Sequence, residues 1–286
     1  MRLNPFNPGS INVRRDGGGG FPGGGGGQLG CGAIVIALIG ALVFGIDPGQ
    51  MLGTMEGMQQ GAPTEQQSGE TAAEICDDNQ YATESCNALA SLNQTWEPIF
   101  QQAGIEFRQP ALVFYSGGVS SGCGSASSAA GPFYCPSDQS MYIDTAFYDQ
   151  LDRELGARGD FARYYVIAHE YGHHVQTITG VAGQIRSAQQ QSPSQANQLQ
   201  VLMELQADCY AGVWAGKNRN AIEPGDFEEG MTAASAIGDD MLMRRSGQAV
   251  SPENFTHGTS EQRMQALRLG LESGDDVQCD RIVELR

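Results

Sequence analysis

Residues 169–173 read His-Glu-Tyr-Gly-His, and no other stretch constrains the fold of this chain as strongly. Two histidines four residues apart project from one face only on a helix, so the stretch must be helical for the pair to act together. The imidazoles of His169 and His173 can then grip one metal ion, with Glu170 beside them to take a proton from a metal-activated water. The four histidines and seventeen glutamates of the chain would produce this pattern by chance roughly 0.003 times. Composition does not account for it.

The surrounding residues extend the helix. Asp160 is placed to cap it, and Phe161, Tyr164, Ala168, Tyr171 and Val175 recur at helical spacing before Gly180 stops it. Gly172 costs about 1 kcal/mol relative to alanine inside a helix, which marks a close approach by another element. His174 lies about 100° round the helix from His173, so it is expected to pack or hydrogen-bond rather than share the metal.

A hydrolytic zinc site uses three protein ligands and keeps one position open, so a third ligand is required. The spacing that continues with Gly at 176 and His at 179 is excluded, because these positions are Gln176 and Thr179. In MELQADCYAG, Glu204 and Asp208 stand one turn apart on a later helix, the arrangement in which the first binds the metal and the second orients His169 or His173. Their neighbours are apolar or small, unlike a solvated acidic face. Burying unpaired carboxylates is costly, and ligation removes that cost.

His257 is the one histidine outside the zinc helix, in THGTSEQR, just before a helix opened by Thr259 and Gln262. Peptide hydrolysis builds negative charge on the carbonyl oxygen, and His257 is expected to donate to it; a surface histidine is the alternative. Arg263 is expected to hold a substrate carboxylate or a structural ion pair.

Elsewhere, 70–104 reads as helical, while ALVFY and MYID are β-like runs flanking a Gly- and Ser-rich hairpin region. Ser192-Pro193-x-Gln195 and Asp226 with Glu229 look like further helix starts. The expected body, residues 70–286, is α+β: mostly helical with a small sheet.

Before it, Leu29 to Ile46 is an uncharged, apolar run of eighteen residues, long enough to cross a membrane as a helix. Arg2, Arg14 and Arg15 precede it and no basic residue follows until Arg108, which predicts a cytoplasmic N-terminus and an extracytoplasmic body. Residues 1–28 then form a Gly-rich cytoplasmic stub, 29–46 a single-pass transmembrane anchor and 47–69 a linker. The net charge of −17 repels polyanions and excludes nucleic acid as a partner.

Six of the seven cysteines follow the apolar run, an even number suited to an oxidising compartment. Local loops close at the lowest entropic cost, which favours Cys76 with Cys86 and Cys123 with Cys135 and leaves Cys209 for Cys279.

Together, HEYGHHVQ, GPFYCPSDQSMYID, LQADCYAGVWA and FTHGTSEQR resemble the neutral zinc metallopeptidase family of bacterial membrane-anchored proteins. The resemblance implies a zincin-like domain of gluzincin type, with one Zn2+ per chain held by His169, His173 and Glu204 and with Glu170 as catalytic base. It implies an endopeptidase acting on peptides or proteins outside the cytoplasmic membrane. The alternative is a catalytically silent zinc-fold module serving in binding or assembly at the cell envelope. Substrate sequence and oligomeric state have no signature in the residues.

Overall fold

Helical spacing of apolar residues dominates the chain, and the computed structural model, which describes residues 1–16 and 69–284, is mostly helical with a small sheet. The 70–104 pattern divides into α1 (Ala72–Cys76) and α2 (Gln80–Ala103). The Cys76–Cys86 disulfide staples the break between them. Gly104 ends α2 in the left-handed region at φ 69°.

The sheet has the order β1 (Asn12–Arg15), β2 (Ala111–Phe114), β6 (Ser140–Ile143), β5 (Phe133–Cys135), with β1, β2 and β6 parallel and β5 antiparallel to β6. A separate hairpin, β3 (Gly118–Ser121) with β4 (Gly124–Ser127), carries Cys123 at its turn, bonded to Cys135 on β5. All four residues of β2 and of β6 are buried, as strands covered on both faces must be.

The remaining helices are α3 (Ala146–Arg153), α4 (Asp160–Ile178), α5 (Val181–Gln191), α6 (Ala196–Lys217), α7 (Asp226–Ala236), α8 (Asp239–Arg245), α9 (Ser260–Ser273) and α10 (Asp276–Asp280). Helix α6 is the hub, packed between α4 and α9. A Cβ on Gly270 would lie 1.9 Å from the carbonyl oxygen of Cys209, so α9 reaches α6 this closely only because no side chain intervenes. The Cys209–Cys279 disulfide ties α10 to the same helix.

Three of the expected helix starts differ, the first being Asp160, which is the opening residue of α4 behind Gly159 at the cap position and makes no side-chain cap. Thr259 and Gln262 form a complete capping box on α9. Ser192 makes no side-chain cap, and residues 193–195 form a 3-10 turn before α6. Glu229 does not cap α7; its carboxylate reaches across to accept from the Phe161 amide at the start of α4.

The N-terminal residues correct the expected topology. Strand β1 pairs with β2 from Asn12 opposite Ala111 to Arg15 opposite Phe114. The Met1 ammonium is buried against Asp160 at 3.0 Å and Asp226 at 2.9 Å. A single crossing at 29–46 would separate Met1–Asp16 from the body by a bilayer, yet the two share one sheet. The expectation of a single-pass protein with a cytoplasmic N-terminus and the body on the far side is therefore overturned. Arg14 and Arg15, read as charges flanking a membrane helix, are strand residues: Arg14 donates to Ser140 and Arg15 pairs with Asp78 at 3.2 Å. Among the described residues no helix is long and apolar enough to cross a membrane. The apolar run 29–46, the glycines of 17–28 and residues 47–68 of the expected linker lie outside the described residues.

Candidate metal centre

Helices α4 and α6 supply the centre, and their close approach depends on Gly172. A Cβ there would lie 2.8 Å from both the Cα and the carbonyl oxygen of Ala207, the neighbour of Asp208. With the helices this close, His169 Nε2 lies 3.1 Å and His173 Nε2 3.6 Å from Glu204 Oε2. One donor atom from each of the three residues falls within 4.8 Å of the others.

The far side of each imidazole is engaged. His169 Nδ1 lies 2.7 Å from Asp208 Oδ1, so its N–H donates to that carboxylate. The same oxygen accepts from the Tyr165 hydroxyl at 2.5 Å, while Arg263 donates to Asp208 Oδ2 from Nε at 2.8 Å and to Oδ1 from Nη2 at 2.9 Å. Burial alone would raise the Asp208 carboxyl, but the Arg263 guanidinium and His169 hold it down at about 2. His173 Nδ1 donates to Gln176 Oε1 at 2.9 Å, and the Gln176 amide is pinned to the Met203 carbonyl and the Gln206 side chain. Both rings are thereby held as Nδ1–H donors with Nε2 turned to the cluster.

A borderline ion such as zinc takes imidazole nitrogen and carboxylate oxygen in this proportion, and the donor set fits it. Burial opposes a charged His169 ring, yet Asp208 and Glu204 pull its pKa up to about 10. A proton on Nε2 and a metal ion are alternatives at one atom.

Glu170 makes no hydrogen bond among the described residues and lines the cavity in front of the cluster. Burial raises its pKa, although His169 and His173 pull it the other way. His257 lines the same cavity. Its Nδ1 lies 3.1 Å from Asp239 Oδ1, and Asp239 Oδ2 accepts the backbone N–H groups of Thr256, His257 and Gly258. His257 is thus a buried residue held by α8, not a surface one.

Arg263 is also buried, with its guanidinium committed to Asp208, Tyr165 and the Ile237 carbonyl. That geometry is a structural ion pair behind His169. His174 faces away from the cluster, accepting from Tyr134 and donating to the Arg108 carbonyl at 2.6 Å, and burial lowers its pKa to about 4.

The cavity is walled by apolar side chains that include Phe133, Phe147, Val166, Met203 and Leu242. Strand β5 and its approach form one wall. Strand β6 is paired on both sides, so it has no free edge for an extended peptide; β5, on the cavity wall, is one of the two edge strands of the sheet.

Sequence reasoning missed Tyr165, Gln176, Gln200 and Asp239. Tyr165 is one turn before His169 and Gln176 is a buried amide one turn after His173, so helical spacing from the ligand pair points to both. Asp239 has no such signal, because its approach to His257 is set by the packing of α8. A second group of carboxylates, Asp160, Asp226 and Glu229, has the mutual spacing of a metal site. The Met1 ammonium and the Glu223 and Phe161 amides occupy it instead.

Two histidines and a carboxylate thus converge from two packed helices at the mutual spacing of a metal site, with Glu170 beside them in an apolar cavity. The chain matches the family model described as "Putative neutral zinc metallopeptidase" over residues 6–282, and it belongs to that family. It is 42% identical over 269 residues to the uncharacterized protein YpfJ of Escherichia coli K12, covering 92% of this chain and 90% of that one. It is 36% identical over 261 residues to the uncharacterized proteins Mb2605 of Mycobacterium bovis and Rv2575 of Mycobacterium tuberculosis, covering 84% of each chain. No solved structure matches it.

Proposed function

We propose that the chain is a zinc-dependent endopeptidase, with His169 Nε2, His173 Nε2 and the Glu204 carboxylate holding one zinc ion. The observation that carries this reading is the convergence of both Nε2 atoms on Glu204 Oε2 while each Nδ1 is engaged from behind. Zinc bound there supplies Lewis acidity that polarises a carbonyl and brings the pKa of water down to about 7.

Glu170 takes the proton of the attacking water at its free carboxylate and returns it to the leaving amine nitrogen. Its raised pKa suits a group that must both accept and release a proton near neutrality. His257, lining the cavity, donates to the oxygen on which charge develops, and Asp239 at Nδ1 orients the ring. Asp208 and Gln176 hold the two ligand rings in register. Arg263 and Tyr165 hold Asp208 in turn. The apolar walls exclude water around the scissile bond, and the open edge of β5 offers backbone groups to an extended peptide.

The test is hydrolysis of a quenched-fluorescence peptide library by the purified chain. Cleavage should stop on chelation and return with zinc. Folded, zinc-loaded protein that cleaves no peptide would instead support a binding module on the same fold.

A further inference from the structure

We infer that Arg186 is a specificity residue that recognises a carboxylate on the peptide, within a few residues of the scissile bond. The inference rests on the peptidase reading of the site. Ala182, Arg186 and Gln189 line the cavity from one face of α5, at the i, i+4, i+7 spacing that puts their side chains in one row. Gln189 donates to Gln200, and Gln200 donates to Glu204 Oε1 at 2.9 Å. Arg186 is therefore one turn along the row from a chain of two amides that ends on the proposed metal ligand.

Apart from histidines, the described residues lining this cavity include two cations, Arg186 and Arg263. Arg263 is saturated by Asp208 and its neighbours, as shown above. Arg186 is exposed and makes no ion pair or hydrogen bond among the described residues. This stands out in a chain with 33 acidic residues against 16 basic ones, where carboxylates to pair with are plentiful. An unpaired guanidinium at the mouth of an apolar cleft is a planar two-pronged donor, and its match on a peptide is a carboxylate. The net charge of −17 offers such a group no long-range attraction, so selection for it must come from this local contact.

A peptide carries carboxylates at its C-terminus and on Asp or Glu side chains. Matched labelled peptides separate these sources: one pair differs as free acid against C-terminal amide, the other as Glu against Gln at an internal position. Binding by fluorescence anisotropy and kcat/KM are both read on the full chain for the wild type, Arg186→Gln and Arg186→Glu. The acid member of at least one pair should be preferred about 10-fold by the wild type, the fold-change of a charged hydrogen-bonded contact. Arg186→Gln should bring the ratio close to one, and Arg186→Glu should invert it. Because each value is a ratio within one variant, partial loss of folded protein does not alter it. Equal binding of both members by the wild type, or a preference that persists in Arg186→Gln, would overturn the inference, the latter assigning the carboxylate to another group such as the metal. Wild-type protein that discriminates by binding but cleaves neither member would leave Arg186 in place and refute the peptidase reading.

Discussion

Replacing Gly172 by alanine tests whether the metal centre depends on how closely α4 approaches α6. The added Cβ would meet the Cα and carbonyl oxygen of Ala207 at 2.8 Å and its Cβ at 3.0 Å. Carbon atoms in ordinary contact sit about 3.5–4.0 Å apart, so the helices must part by roughly half an ångström or more. Overpacking of this kind costs about 1–3 kcal/mol, while alanine gains about 1 kcal/mol over glycine in helix propensity. The net effect is a destabilisation of about 0–2 kcal/mol. Parting the helices also draws His169 and His173 away from Glu204, and a site displaced by about 0.5 Å should lose roughly 10-fold in zinc affinity. Gly183 on α5 is the control, since a Cβ there meets nothing within 4 Å. Its replacement by alanine should stabilise the chain by about 0.5–1 kcal/mol. Guanidinium melts of the chelated proteins, with zinc competition against a chromophoric chelator, read both effects. If Gly172→Ala proved as stabilising as Gly183→Ala and bound zinc equally well, the packing argument would fail.

Glu170→Gln should retain zinc and lower kcat by about 100-fold or more, whereas Glu204→Ala should lose zinc on dialysis; unchanged zinc retention in Glu204→Ala would remove it from the ligand set. His257→Ala should lower kcat by about 100-fold at unchanged zinc content, and Asp239→Ala should lower it in the same direction, as steady-state kinetics with metal analysis would show. Replacing Cys209 and Cys279 by serine opens a loop with a separation of 70 residues and should cost about 4 kcal/mol in denaturant unfolding. A cost under about 1 kcal/mol would mean that α10 is held by packing alone.

What was legible in the sequence was local or periodic. The histidine pair, Glu204 with Asp208, and the Thr259 capping box all follow from helical spacing, and the structure brings the first two together because Gly172 lets their helices touch. The short-range disulfides follow from loop length. What was illegible depends on tertiary packing across long separations. Asn12–Arg15 looks like the basic flank of an apolar run, and only the pairing of β1 with β2, about a hundred residues on, reveals it as an edge strand. For Arg263 the sequence leaves a substrate carboxylate and a structural ion pair equally open, and only the packing of α9 against α6, which Gly270 permits, places it on Asp208. The link from Asp239, at the start of α8, to His257 spans 18 residues and follows no periodic pattern.

The central claim is that one zinc ion is held by His169, His173 and Glu204. Anomalous scattering at the zinc absorption edge, from crystals of the zinc-loaded chain, tests it most directly. The account predicts a single strong peak about 2.0–2.2 Å from His169 Nε2, His173 Nε2 and a Glu204 carboxylate oxygen. A peak at Asp160, Asp226 and Glu229 instead, or none between α4 and α6, would contradict it.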